Sequence, residues 1–463
     1  MSNKYDLIVI GSGPAGQKAA IQAAKINKKV AIVERDQMIG GVAVHTGTLP
    51  SKTMREAVLY LSGYDQRGLY GMDYRLKDEL TMEELMQRVT ITIRHETEVM
   101  SHQLRRNGVN IIHGEASFID AHKIRVESHK GKVSECMADH ILLATGTRPH
   151  RPDGVPFDGE KIIDSDDILR LKNIPQSLAV VGAGVIGVEY ASIFSALDVK
   201  VTLIDGRDTM LGFMDKEIVD ELIHLMRDGG MTVRLGENLA GVEKNKDGQP
   251  VITLESGKKF SADLVMFAAG RIGCTTALKL ENAGLESDER HRIKVNEFYQ
   301  TEVPHIYAAG DVIGFPSLAS TSMEQGRLAT RHMFGLSLHS RPELFPFGVY
   351  SVPEMSMVGK TEQELTRDNI PYEVGIARLK ETARGNIMGC REGMLKLIFS
   401  LEDHKLLGVH ALGEDTTELV HIGQAAFALG GNLEFFVENV FNYPTLAEAY
   451  KIAALDAANR IVI

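Results

Sequence analysis

Cysteine is scarce in this chain. Only Cys136, Cys274 and Cys390 occur in 463 residues, and no two of them stand in a C-x2-C or other metal-like spacing. A disulfide scaffold is excluded, and the three thiols read as small buried apolar residues of a protein from a reducing compartment. Positive charge is also short. Lysine and arginine number 51 against 62 aspartates and glutamates, for a net charge of -11 and a pI of about 5.8. Nucleic acids and anionic membranes both select basic surfaces, so neither is an expected partner. Long apolar runs are missing too: none approaches the roughly 18 residues of a membrane span. The opening MSNKYDLIVIGSG has an apolar stretch only from Leu7 to Ile10, which is not the layout of a secretory signal. The expected location is cytoplasmic.

What is present is ordinary for a globular protein, with 44% hydrophobic and 24% charged residues and length for roughly three domains. The informative feature is a repeated unit. The first copy is YDLIVIGSGPAGQKAAIQAAKINKKVAIVER. A short apolar strand, Leu7 to Ile10, leads into Gly11, Gly13 and Gly16, with Pro14 and Ala15 between the second and third glycines. An Ala-rich helix (Gln17 to Lys25) and a second strand (Val30 to Val33) follow, and Glu34 then Arg35 close the unit. The second copy is SLAVVGAGVIGVEYASIFSALDVKVTLID, with Gly182, Gly184 and Gly187 and a closing Asp205. First glycine and closing acid lie 23 positions apart in both copies. Such glycines allow a tight turn and let the backbone approach a pyrophosphate at a helix N-terminus, while the acid holds ribose hydroxyls. One such motif is weak evidence. Two, each after a strand and before a helix, predict two bound dinucleotides.

Three further stretches carry strand-then-glycine patterns. IYAAGDVIG puts Gly310 and Asp311 at the end of a strand, where ligands of doubly wound sheets sit. ILLATGTRP and LVMFAAGRIG resemble each other and read as the two crossings between the dinucleotide domains. From about residue 340 the pattern changes. VYSVPEMSMVG, LKLIFS and LLGVHALG read as antiparallel strands, with helices at Glu418 to Ala428 and Leu446 to Asn459. The fold class is therefore α/β: two Rossmann-like domains plus a C-terminal α+β domain.

These motifs resemble the class I flavin disulfide reductases, the superfamily of lipoamide dehydrogenase, glutathione reductase and mercuric reductase. The markers run through nearly the whole chain: the Gly11/Gly13/Gly16–Glu34 unit, Gly40–Gly41, Pro50-Ser51-Lys52, Ala144-Thr145-Gly146, Gly182/Gly184/Gly187 with Glu189, and Ala309-Gly310-Asp311. The resemblance implies an FAD domain in two parts, residues 1–150 and 271–340, a nicotinamide-nucleotide domain at 151–270, and a homodimerisation domain at 341–463. It implies an FAD site of Gly11, Gly13, Pro14, Ala15, Gly16, Glu34, Arg35, Gly40, Gly41, Val42, Ala43, Thr48, Lys52, Ala116, Thr145, Gly146, Gly310, Asp311 and Ala319. NAD(H) or NADP(H) falls to Gly182, Gly184, Gly187, Glu189, Asp205, Gly206, Arg207 and Gly270. No metal site is expected, since His410 and His421 lack ligand spacing.

Two departures from the pattern decide the chemistry. In GGVAVHTGTLPSKT, residues 40–53, Ala43 and Thr48 stand where the family has its two redox cysteines. Near the C-terminus, FNYPTLAE puts Tyr443 at the place of the family's acid/base histidine and keeps Glu448, that histidine's partner. A phenol titrates near ~10, too high for proton traffic at neutral pH. All three losses fall in one mechanism, so thiol chemistry is not expected. The soluble pyridine nucleotide transhydrogenases resemble this chain in Thr48, in Asn442 to Thr445, and in GAGVIGxEYASIF, GDVIGxPSLAS and VGKTEQxL. They differ at Ala43, where a cysteine is expected.

Without a disulfide, a reduced flavin must pass its electrons directly to an acceptor on the same face. A second nicotinamide nucleotide gives transhydrogenation. A quinone or dye gives an NAD(P)H dehydrogenase, with Tyr443 stacking on an aromatic acceptor. A non-enzymatic nucleotide sensor would need neither Lys52 nor Glu189. In the family Lys52 lies by the flavin N5, where a cation stabilises negative charge, and Glu189 is its partner. Asp205 favours a free ribose 2′-hydroxyl, and Arg207, two residues on, can turn to a 2′-phosphate.

Overall fold

The computed structural model describes residues 3–77, 79–337 and 344–461. The expected boundary between residues 340 and 341 lies outside them. The chain divides into two compact units. One comprises Met1–Met54, Met86–His150 and Gly270–Arg341; the other comprises Arg55–Leu85, Arg151–Ala269 and Pro342–Ile463.

The first unit is built on a sheet whose parallel part runs Asn110–His113, Val30–Glu34, Asn3–Ile10, Val133–Leu143, with Ile306–Ala308 beside the last. Leu7, Ile8, Val9 and Ile10 are all buried. A central parallel strand is covered on both faces, which is why it reads as a continuous apolar run rather than an alternation. The strands Glu115–Asp120 and Lys123–Glu127 extend the sheet antiparallel from the first half of Val133–Leu143. The helix Pro14–Ala24 starts with proline in its first turn, where a missing N–H loses nothing. It packs along Ala319–Met333. The two look-alike stretches meet here: Thr147–Pro149 and Arg271–Gly273 pair as an antiparallel ribbon.

The second unit holds two sheets of different kinds and a small three-stranded one. Thr232–Leu235, Lys200–Asp205, Ser177–Val181, Leu264–Phe267 and Ile162–Asp164 form a parallel sheet. Phe347–Val349, Met355–Gly359, Leu406–Leu412, Met394–Ser400 and Tyr372–Arg378 form an antiparallel one. The helices Thr416–Ala428 and Glu448–Ala458 cover the latter. Tyr450 lies fully buried between them, its ring stacked 5.5 Å from Phe436. Its hydroxyl donates to the Leu419 carbonyl (2.8 Å) and accepts from the Gly423 N–H (3.0 Å), so a large ring is buried with no polar group left unpaired.

Met394–Ser400 is buried at every position, Lys396 included. The Lys396 ammonium sits among Asp215 (2.8 Å), Glu217 (2.9 Å) and Glu362. Asp215 caps the helix Lys216–Asp228, accepting from the Glu217 N–H, and also accepts from the Glu362 N–H. Among the described residues no helix is long and apolar enough to cross a membrane.

Candidate functional site

Each copy of the repeated unit builds a cradle at the end of its first strand. The glycines are fixed by contact distances. A β-carbon on Gly11 would stand 2.3 Å from the Ala144 carbonyl oxygen, and one on Gly16 2.0 Å from the Gly11 oxygen. In the second copy the corresponding distances are 2.4 Å, from Gly182 to Ala268 O, and 1.8 Å, from Gly187 to Gly182 O. All are far below van der Waals contact, so any side chain there displaces backbone. The middle glycines, Gly13 and Gly184, face open space instead. Each caps a helix, Pro14–Ala24 and Val185–Ala196, with no side chain on the first-turn N–H groups. An open glycine before unclaimed helix donors is what a pyrophosphate requires.

In the first unit the cradle is surrounded by residues that fit FAD. Glu34, buried at the end of its strand, accepts from the Ser12 N–H (2.9 Å), the Ser12 hydroxyl (2.6 Å) and the Asp36 N–H (3.0 Å). Arg35 is exposed, 3.8 Å from Asp36. Gly40 and Gly41 have φ of +122° and +61°, and a β-carbon on Gly41 would come within 3.0 Å of the Gly13 Cα. The glycine pair therefore lets the altered loop lie against the phosphate turn. Val42 and Ala43 follow in the short helix Gly41–His45. His45 bonds the Ile39 carbonyl through its ring Nε2 (2.9 Å). Thr48 is exposed and opens the helix Thr48–Ser62, which carries Lys52 half-buried, its ammonium 3.3 Å from the Ser51 hydroxyl. The hydroxyls of Thr46 and Thr145 are buried without a partner. Two orphan donors beside a glycine cradle are the mark of a polar ligand that completes them.

Asp311 follows the strand Ile306–Ala308. Burial pushes its carboxyl above the usual carboxylate range, against the opposing pull of Arg271, Thr147 and Ser322. Arg271 is anchored on Thr147, through the hydroxyl and the carbonyl at 2.9 Å each. Gly310 donates its N–H to Gln325 (2.8 Å). Ala319 opens the helix Ala319–Met333, Ala116 is buried in its strand, and Gly146 has φ +65° with open space at its α-carbon. Ser12, Thr147, Arg271 and Gln325 were not singled out from the sequence. Thr147 and Arg271 lie in the two look-alike stretches, which carry Gly146-Thr147-Arg148 and Gly270-Arg271.

In the second unit Asp205 accepts from the N–H groups of Ala183 (2.6 Å) and Arg207 (2.9 Å). The Arg207 side chain folds back to grip the same carboxylate, Nε at 2.9 Å and Nη2 at 2.6 Å. Burial works against the charged form of Asp205, but Arg207 and the Ala183 N–H hold its pKa below the usual range. A β-carbon on Gly206 would meet the Asn238 side-chain oxygen at 2.0 Å, so a side chain there would have to push Asn238 aside, and Gly270 is open with φ +98°. Glu189 is buried in its helix and accepts from the Tyr350 N–H (2.9 Å). Tyr443 is 72% exposed. Glu448 begins the last helix and, lacking the family's histidine, accepts from the Arg384 N–H (3.2 Å). Lys52 belongs to the first unit, and Glu189, Tyr443 and Glu448 to the second.

Comparison with known proteins agrees with this construction. Residues 5–326 match the family model described as pyridine nucleotide-disulphide oxidoreductase, and residues 345–454 match the dimerisation domain of the same family. A soluble pyridine nucleotide transhydrogenase of Mycobacterium tuberculosis is 56% identical over 459 residues, 99% of this chain and 98% of that one. One from Colwellia psychrerythraea is 46% identical over 463 residues, again 99% and 98%. Among solved structures, LpdA of Mycobacterium tuberculosis has a TM-score of 0.89 at 25% identity, covering 100% of both chains. The HOCl-induced flavoprotein disulfide reductase RclA of Escherichia coli has a TM-score of 0.86 at 26% identity, over 97% of this chain and 99% of that one. With two nucleotide cradles and a dimerisation domain, the chain belongs to the pyridine nucleotide-disulphide oxidoreductase family.

Proposed function

We propose that the protein is an FAD-dependent pyridine nucleotide transhydrogenase, a cytoplasmic homodimer that exchanges hydride between NADPH/NADP+ and NAD+/NADH. One observation carries the reading. The chain keeps two nucleotide cradles of this family, yet the loop between Gly41 and Pro50 holds Ala43 and Thr48 and no thiol. The cysteines all lie elsewhere, at 136, 274 and 390. Full-length similarity to soluble pyridine nucleotide transhydrogenases supports the same conclusion.

FAD, when bound, supplies a ring that takes a hydride and returns it. The remaining work belongs to the chain. Residues 1–150 and 271–340 hold FAD, residues 151–270 the nicotinamide nucleotide, and residues 341–463 the second subunit. Gly11, Gly13 and Gly16 admit the pyrophosphate, and Glu34 orients the adenosine ribose. Asp311, set by Thr147 and Arg271, orients the ribityl chain. Lys52 brings a positive charge to the reacting edge and favours the reduced, negatively charged ring. Glu189, buried in the helix Val185–Ala196, shapes the entry of the nicotinamide. Tyr443 replaces an acid/base group that hydride exchange does not require, and Glu448 accepts from the Arg384 N–H instead.

The test is anaerobic turnover of the FAD-loaded protein with NADPH and thio-NAD+. Rapid ping-pong transfer is the expected result. Bleaching of the flavin by one nucleotide without transfer to the other would overturn the reading.

A further inference from the structure

The two cradles differ in what completes the hydrogen bonding of the closing acid, and that difference bears on nucleotide choice. In both, the closing acid accepts from the N–H after the first glycine and from the N–H two residues past itself. For Glu34 these are Ser12 and Asp36; for Asp205 they are Ala183 and Arg207. The remaining bonds come from different sources. Glu34 takes the Ser12 hydroxyl, a short side chain that the Gly40 N–H in turn fixes at 2.9 Å. Ala183 has no hydroxyl to offer, so Asp205 takes the guanidinium of Arg207. The Arg207 side chain is 58% exposed, whereas the Asp205 side chain it grips is only 9% exposed.

An ionised carboxylate has about four lone-pair positions. Asp205 has four donors on it: two backbone N–H groups, which cannot leave, and two from Arg207, which can. A ribose hydroxyl can reach this carboxylate only by displacing Arg207. A guanidinium so displaced has two destinations, water or a phosphate on the ribose, and it pairs with phosphate bidentately.

We propose that Asp205 and Arg207 form an exchangeable latch that lets one ribose subsite accept nucleotides both with and without a 2′-phosphate. The inference rests on the reading that both kinds of nucleotide enter this cradle. With a free 2′-hydroxyl, Arg207 swings into solvent and Asp205 takes the hydroxyl. With a 2′-phosphate, Arg207 swings onto the phosphate. The first cradle, closed by the fixed Ser12 hydroxyl, has no such freedom and keeps one nucleotide.

The consequence is a pair of effects opposite in sign. Removing Arg207 deletes the phosphate partner and also unmasks Asp205. Titration calorimetry of the FAD-loaded protein with 2′,5′-ADP and with 5′-AMP reads both directly. Arg207→Ala is expected to weaken 2′,5′-ADP by about tenfold or more and to tighten 5′-AMP several-fold, the scale of a charge-assisted pair. Arg207→Lys keeps the charge without the fork and is expected to fall between wild type and Arg207→Ala for both fragments. Equal weakening of both fragments, or no change in either, would overturn the latch. So would Arg207→Lys behaving as wild type for both. Neither fragment carries a nicotinamide, so the binding data stand whether or not hydride passes between nucleotides. Failure in the thio-NAD+ assay sinks the proposed activity, and failure here sinks only the latch.

Discussion

Lys396 should be among the most sensitive residues in the chain. Its side chain is 0% exposed, in a strand buried at every position, and its ammonium meets three carboxylates. Lys396→Met fills nearly the same volume, so packing is largely kept. The charge balance is not. Asp215, 1% exposed, loses its cation, while Glu217 and Glu362 remain nearby at 40% and 32% exposure and can relax into water. The loss is therefore set by one stranded buried carboxylate, about 3–5 kcal/mol. At ~2–4 °C per kcal/mol, the scale for a large cooperative unit, the melting midpoint falls by roughly 6–20 °C. Differential scanning calorimetry of the FAD-loaded protein measures it. Adding Asp215→Asn to Lys396→Met removes the stranded charge and is expected to recover part of the loss. A midpoint within about 2 °C of wild type for Lys396→Met, or a double variant as unstable as the sum of the two single ones, would refute the account.

The same network fixes a pH signature. Burial works against the ammonium of Lys396, but the carboxylates outweigh it and its pKa is pushed up to about 12. Its contribution is whole below the ordinary lysine value near ~10.4 and is lost as pH rises through about 12. Asp215 runs the other way. Burial raises its pKa, yet His410 and Lys396 more than offset this and hold it below the ordinary range. Its contribution is present above that range and disappears as pH falls through the lowered folded value. The wild-type midpoint should therefore decline above about pH 10.4, and Lys396→Met should lose that alkaline arm.

Two other outcomes follow from the site. Lys52→Met is expected to slow flavin reduction by NADPH about tenfold or more and to lower the flavin potential; stopped-flow bleaching at wild-type rate would remove Lys52 from the chemistry. N-ethylmaleimide at pH 7 should leave transhydrogenation intact, since the loop at residues 40–53 has no thiol and burial, with Glu414 and Asp415, pushes the Cys390 thiol up to about 11. Inactivation in step with labelling of one cysteine would mean that a thiolate takes part after all.

What the sequence makes readable, and what it hides, divides by how local the physics is. The nucleotide cradles are local. A β-carbon on Gly16 would meet the Gly11 oxygen at 2.0 Å and one on Gly187 the Gly182 oxygen at 1.8 Å, five residues apart in each copy, so the constraint is written in one short segment. The loss of thiols at Ala43 and Thr48 is local in the same sense. The Lys396 cluster is not. Its partners come from positions 215, 217 and 362, and in MLKLIFS a lysine between leucines reads as the wet side of an alternating strand. Only burial on both faces makes it a buried cation, and that depends on what the helices Lys216–Asp228 and Glu362–Arg367 bring to it. Arg207 falls between the two cases. Two residues from Asp205, it was visibly close enough to matter for a 2′-phosphate. That it folds back to fill the carboxylate follows from an alanine 24 positions earlier, at 183, where the first copy has a serine. The pattern of three glycines and an acid says that a dinucleotide binds; the residue after the first glycine says whether the acid is held shut or left to a partner that can move.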